Sequence, residues 1–520
     1  MPDSIKTQVE VTNSDDSKLA ELGYKPELRR QYSPLALAGV AVVVCNSWGA
    51  VGGALITGLA NGGPPTIIFG WLLVTIMALF TALSLGELAS AYPTSAGAYN
   101  WVARLSPKKL AAPLSYITGL LNLAAWIFGT TSAGLFLAQC VMALASLANN
   151  DLVIERWMTF VVFEAFVVVA FIMATIGDRL MPFVARAGLA WTATGCFVSA
   201  IVVLAKSSPK ASAKQVFATF INQTGWSSNG IAACIGLINP AFGFSGFDAA
   251  VHFAEEVRHP SMAIPRALLA VVGVNCITCL FFIISLFFSV TNYEAVLTTN
   301  TGLPIAEMYR QAGGQAVGIG LLLVVFFAGV PAFFDIFIAT VRLNWALARD
   351  NALPFSKTWA KVNEKLGIPL WSTVLTAVIQ LLLALIYIGN TTAFSAILSS
   401  SMVLNNLTFI VPVLVNMCQG RRAAKLGDFR LGKALGWTSN IVMCGWTLFT
   451  LIFFEFPFVL PVNKVTMNYT VVVLSSTVIL GGAWYAARAR KYYTGPPEEL
   501  QGVESMSNVD VQGFPVESKA

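Results

Sequence analysis

Twelve runs of roughly twenty apolar residues follow one another along this chain, at about 35–60, 67–90, 113–145, 157–176, 182–205, 230–254, 264–290, 316–343, 370–389, 393–417, 437–457 and 468–487. About 20 apolar residues in a helix span the hydrocarbon of a bilayer. Lipid offers no partner to a bare N–H or C=O, so a run that faces lipid must be helical. The pattern predicts an all-α polytopic membrane protein with 12 transmembrane helices. Composition agrees: 56% of the 520 residues are apolar and 11% are charged, against about 25% charged in an ordinary soluble domain. A cytosolic enzyme, a secreted disulfide scaffold and a disordered tail protein are thereby excluded.

Charge placement predicts the orientation. With the N-terminus in the cytoplasm, 26 of the 32 Lys and Arg fall on the cytoplasmic side and 6 outside. Such a bias sets topology, and one missed span would invert every later loop. Both termini are expected in the cytoplasm: a tail at 1–33, a transmembrane domain at 34–490 and a disordered tail at 491–520. Residues 1–33 have no early apolar core, so the first run should serve as an uncleaved start-transfer segment. The net charge of +6 fits loops that face anionic lipid. No basic stripe interleaved with aromatics points to nucleic acid. The eight cysteines lie in or beside apolar runs, where they pack as small apolar side chains. Cys276 and Cys279 form a CxxC by spacing, but with only His252 and His259 in the chain neither a metal nor a cofactor site is expected. Asn222, in N-Q-T of a predicted outer loop, is the candidate glycosylation site.

Two runs are not clean helices. The first contains Asn46, Ser47, Trp48, Gly49, Ala50, Val51, Gly52 and Gly53. The sixth contains Asn239, Pro240, Ala241, Phe242, Gly243, Phe244, Ser245, Gly246, Phe247 and Asp248. Glycine loosens a helix and proline removes a donor. Interrupted spans at matching places in two halves point to the binding site of a secondary transporter. Spans 1–5 would form one repeat and spans 6–10 its inverted partner. The alternative is close packing through small residues.

These residues also carry a resemblance. N-S-W in span 1, S-L-G-E-L-A-S-A-Y-P-T-S-A-G-A-Y-N-W at 84–101, F-A-T-F-I-N-Q-T-G-W at 217–226, G-L-I-N-P-A-F-G-F-S-G-F-D at 236–248, H-F-A-E-E-V-R-H-P at 252–260, W-A-L-A-R-D-N-A-L-P at 345–354 and F-P-F-V-L-P-V-N-K at 456–464 resemble the fungal amino-acid/choline permeases of the amino acid–polyamine–organocation superfamily. The likeness runs from about 33 to 490. It implies a 5+5 inverted repeat with broken helices 1 and 6 and two further C-terminal spans. It also implies carriage of choline, γ-aminobutyrate, other amino acids or polyamines.

The expected substrate-binding residues are Asn46, Trp48, Gly49, Gly52, Gly53, Phe242, Phe244, Gly246, Phe247 and Asp248. A Trp48 face would hold an ammonium by cation–π attraction, or else Trp48 fills a packing gap. The three phenylalanines could complete an aromatic box or belong to the core. An acid inside a membrane faces the interior or water. Asp248 could attract a cationic amine or carry a coupling proton, or it could cap the second half-helix. Asp335 and Glu164 are further buried-acid candidates. Glu87, Glu255 and Glu256, at span ends, are gate candidates that could pair with Arg29, Arg30, Arg104 or Arg342. No lysine lies between 187 and 205 of span 5, so none replaces a sodium ion there. The expected function is secondary transport of an amino acid or small amine such as choline or γ-aminobutyrate, most simply at the plasma membrane, with a proton as possible coupling ion. Alternatives are a carrier serving a specialised metabolic pathway and a nutrient sensor that moves nothing. Two histidines argue against a membrane enzyme.

Overall fold

The computed structural model describes residues 15–149, 151–299, 301–389, 391–422, 424, 427–464 and 466–497. The first fourteen residues and the chain beyond 497, which hold most of the expected tails, lie outside the described residues.

Eleven helices among the described residues are long and apolar enough to cross a membrane. The first crossing joins α1 (Pro34–Cys45) to α2 (Ser47–Gly53). Then come α3 (Gly63–Ala91), α4 (Lys108–Ala148), α5 (Arg156–Thr175) and α6 (Met181–Lys206). Two short helices follow, α7 (Asn229–Gly236) and α8 (Ile238–Phe242). The rest are α9 (Pro260–Phe288), α10 (Pro304–Arg349), α11 (Leu370–Gly389), α12 (Thr391–Cys418), α13 (Lys433–Phe453) and α14 (Thr470–Ala487). Prolines sit in the first turns of α1, α3, α9 and α10, where a missing N–H costs nothing. Ser33 caps α1 by accepting from Ala36 N.

The expected sixth span is not one of the eleven. Its run divides into α7, α8, a stretch of turns at 243–248, a helical turn Ala249–His252 and a 3₁₀ turn Ala254–Glu256. The sixth run is thus interrupted, as its proline and glycines lead one to expect, and the described residues hold eleven rather than 12 helices long enough to cross. Helix α10 bends as well: Gly314 has φ 82° beside Gly313, near its start.

Helix α9 packs on α1, α3 and α6, and α1 packs on α6; α4 packs on α10 and α12, and α10 also packs on α1 and α6. By contrast, α14 is largely exposed along its length. Two features close the ends of the bundle. At one end Asn61–Gly62 pairs antiparallel with Ile221–Asn222, Gln223 N donates to Ala60 O, and Trp226 stacks on Phe456. At the other end lies part of the segment expected to be a tail. It is helical over 15–21, and it buries Leu19, Leu22, Tyr24, Leu28 and Tyr32. Tyr32 N donates to Glu256 O at 3.0 Å. These five side chains give a segment that reads as polar enough apolar surface to dock.

Candidate functional site

The first crossing breaks at one residue. Asn46 takes left-handed angles, φ 35° and ψ 49°, and separates α1 from α2. Asparagine tolerates that region better than most residues. The expectation that Gly49, Gly52 and Gly53 unwind is corrected: all three are helical in α2. They serve close approach instead. A Cβ on Gly49 would lie 2.6 Å from the Asn46 amide, one on Gly52 2.5 Å from Ile305, and one on Gly53 2.7 Å from the Phe136 ring. The second break follows α8 rather than Pro240, which is helical. Its turn at Gly246 has φ +73°, where a side chain is strained. The breaks meet: Ser47 Oγ donates to Gly243 O, and Asn239 Nδ2 donates to Val51 O at 3.0 Å.

Between them lies a cavity of about 380 Å³. Val44, Cys45, Asn46 and Gly53 form one wall; Phe242, Ser245 and Gly246 form another. Helix α4 supplies Trp126, Ser132, Phe136 and Gln139, α10 supplies Gly329, Ala332 and Ile336, and α12 supplies Ser399, Ser401 and Asn405. Among the described residues lining it, none is Asp, Glu, Lys, Arg or His. The C-terminal end of α1 and that of α8 both abut it. A helix C-terminus carries partial negative charge and a helix N-terminus partial positive charge; α2 starts at Ser47 beside Asn46, so the backbone presents both signs here. The rings of Trp126, Phe136 and Phe242 add negative faces.

Of the expected binding residues, Asn46, Gly53, Phe242 and Gly246 reach this cavity. The structure does not bring Trp48, Gly49, Gly52, Phe244, Phe247 or Asp248 to it. Trp48 is fully buried with its ring edge-on to Phe282 at 5.2 Å. Phe244 stacks on Trp71 at 4.8 Å, and Phe247 meets Phe409 at 5.6 Å. Asp248 makes no cap bond. Its carboxylate accepts from Asn405 Nδ2 at 3.2 Å and lies 3.5 Å from His252 Nε2. It thus stands one side chain behind the cavity wall. Trp126, whose ring lies 4.9 Å from His252, takes the place expected of Trp48. The missed signal was a stripe of spaced positions on one face of α4 (126, 129, 132–133, 136, 139), hidden in an otherwise apolar run.

The gate candidates all hold cations. Glu256 accepts from Arg342 Nε and, at 3.2 Å, from Arg342 Nη2, and the same guanidinium meets Asp178 at 3.1 Å. Gln31 donates to Asp178 at 3.0 Å and to Glu256 at 3.3 Å. Glu255 receives both Nη groups of Arg349, at 2.8 and 3.0 Å. Arg349 in turn lies over the rings of Tyr24 and Trp345, at 4.0 and 4.3 Å. Glu87 pairs with Arg421 at 2.5 Å and accepts from Leu431 N at 3.1 Å. Only Glu256–Arg342 was among the expected pairs. Arg29 donates to Lys365 O, Arg30 to Asp16 and Val257 O, and Arg104 to Asn100 and Leu22 O. Asp350, the first residue past α10, accepts from Tyr99 at 2.8 Å and Tyr24 at 3.1 Å. Burial raises its carboxyl to about 6 against the opposing pull of Arg349 and of those two hydroxyls.

Residues 35–477 match the amino acid permease family. A choline transporter of Saccharomyces cerevisiae is 35% identical, over 93% of this chain and 86% of its own length. A putative amino acid/polyamine transporter of Macrophomina phaseolina is 32% identical, over 84% and 96%. A swainsonine transporter of Arthroderma benhamiae is 29% identical, over 93% and 96%. With a family match across most of the sequence and a cavity where two helices break, the chain belongs to the amino acid permeases, as a multi-pass membrane transporter of amino acids or amines and not an enzyme.

Proposed function

We propose that the chain is a secondary carrier of a small organic ammonium compound, choline first among them. One observation carries this reading: three aromatic rings wall the cavity, with no ionic side chain among the described residues lining it. Ring faces suit a diffuse quaternary charge. The carboxylate of a free amino acid would find no cationic side chain on this wall. The choline transporter relative supports the same choice. The swainsonine transporter relative favours the second reading, a carrier serving a specialised pathway.

The run from α7 to Glu256 acts as a twelfth, discontinuous crossing, and the breaks at Asn46 and Gly246 stand in inverted repeats. Both termini face the cytoplasm of a plasma-membrane protein, which makes the ion-pair clusters around Arg342 and Arg349 the inner gate. Asn222 carries any glycan. Its amide donates to Trp226 O at 2.9 Å and Asn229 at 3.1 Å, so attachment would precede folding of this loop. The test is uptake in transport-deficient fungal cells, with choline, γ-aminobutyrate, other amino acids and polyamines as competitors. Saturable choline uptake that γ-aminobutyrate does not displace is expected. A protein at the surface that moves no label would be a sensor. A C-terminal tag digested from outside intact cells would overturn the topology.

A further inference from the structure

We infer that Asp335 carries the coupling proton of this carrier, an assignment that rests on the transport reading above. Asp335 is fully buried in α10, and neither carboxylate oxygen has a hydrogen-bond partner among the described residues. Other buried acids on this side behave differently. Glu255 holds Arg349, and Glu256 and Asp178 share Arg342.

Position gives Asp335 its role. On α10, Ala332 and Ile336 line the cavity, and Arg342, two turns further on, belongs to the gate. Asp335 lies between the two. Tyr32 stands within electrostatic reach of Asp335, Glu256, Asp178 and Arg342, and its buried hydroxyl also has no partner among the described residues. Among the neighbouring elements, α5 carries Glu164, one of whose carboxylate oxygens also has no hydrogen-bond partner among the described residues, and the others supply few titratable groups. Helix α1 has no charged residue and offers only Cys45. Cys196 in α6 bonds Thr278 O, and Arg186 in α6 points away to Pro182 O. Cys140 lies in α4, and His252 is engaged by Asp248 and Ser95.

A bare carboxylate buried without a partner costs several kcal/mol. Asp335 does not line the cavity, so the substrate is not its counter-ion, and a proton is what can neutralise it. Closing the protein around substrate therefore requires the acid form. Water reaching Asp335 from the cavity side supplies the proton to a carboxylate oxygen. Water admitted when the Arg342 cluster opens takes it away. The empty carrier returns with a hydrated cavity, which tolerates the charge. One proton then crosses with each substrate.

The experiment uses the full chain in liposomes, with potassium and valinomycin holding the membrane potential at zero. For the wild type, a pH gradient of one unit, acid outside, should accumulate labelled choline up to about tenfold, the limit for one proton. D335N, which copies the neutral acid, should accumulate it about onefold. It should still exchange internal for external choline at a rate near wild type, because exchange needs only the protonated cycle. Accumulation by D335N equal to wild type would overturn the assignment. So would wild-type accumulation driven by sodium and not by pH, or failure of D335N to fold, since a site built for a neutral acid accepts an amide. Absence of choline exchange in folded wild type would remove the carrier reading itself, and the proton assignment with it.

Discussion

Among single residues, Trp126 and not Trp48 is the tryptophan that borders the cavity. Trp48 packs on Phe282 away from it. A desolvated cation–π contact contributes about 2 kcal/mol, or roughly 30-fold in affinity. Trp126→Leu should therefore raise the half-saturation concentration for choline about 30-fold, and Trp126→Phe only a few-fold. Trp48→Leu should lower the amount of folded protein through a core void and leave half-saturation unchanged. Initial uptake normalised to surface protein separates the two. An affinity change confined to Trp48→Leu would reverse the assignment. The reason the sequence misleads here is geometric. Breaks announce themselves through Asn, Gly and Pro, so attention falls on residues within them. More of the residues lining this cavity come from α4, α10 and α12 than from the two interrupted runs, and those inward residues carry no local mark. Trp126 and Asn405 become neighbours of the breaks only through tertiary packing.

Helices and their interruptions were more legible, because length and apolarity dictate them directly. Eleven of the apolar runs correspond to helices long and apolar enough to cross a membrane, and the motif around Gly246 marks a true departure from helix. What composition could not reveal is which glycines bend the chain and which let it approach another. Gly246 bends it, at φ +73°; Gly53 stays helical and faces Phe136. The two should fail differently. Gly246→Ala forces an alanine into left-handed angles, at about 1–2 kcal/mol, and brings its Cβ to 3.0 Å from Val44. Maximal uptake should fall several-fold as the break loses its preferred shape. Gly53→Ala sets a methyl against the Phe136 ring, which can swing only into the cavity it lines. Half-saturation should rise while maximal uptake changes little. Equal kinetic effects from both would reduce the break at Gly246 to packing.

At the scale of the whole molecule the two ends are closed by different physics. The Asn222 end uses backbone pairing and stacked rings, which are indifferent to pH. The end that holds residues 15–32 uses buried ions, and under the gate reading proposed above their charge count sets when it opens. Arg349 is already neutralised by the two oxygens of Glu255. Burial strips water from the Asp350 carboxylate, and this outweighs the pull of Arg349 and the two tyrosine hydroxyls, so its carboxyl is raised to about 6. Once the cluster opens and water reaches it, Asp350 returns toward an ordinary carboxylate value near 4. Between those values the closed form binds more protons than the open one. Linkage then fixes the sign: closure is most favoured below pH 4, and that advantage is lost as pH rises through 6. Lowering pH from 7.5 to 5 should accordingly slow hydrogen exchange in residues 15–32 of the purified protein, beyond the intrinsic pH effect on exchange. Asp350→Asn keeps an acceptor for Tyr99 and Tyr24 without the charge. It should hold the segment protected at pH 7.5 and flatten the pH response. A variant whose exchange still falls with acidification as steeply as wild type would place the sensitivity elsewhere in the cluster. If this cluster is the inner gate proposed above, the same variant should release substrate through this end more slowly, so a closed cluster and a lower maximal uptake should appear together.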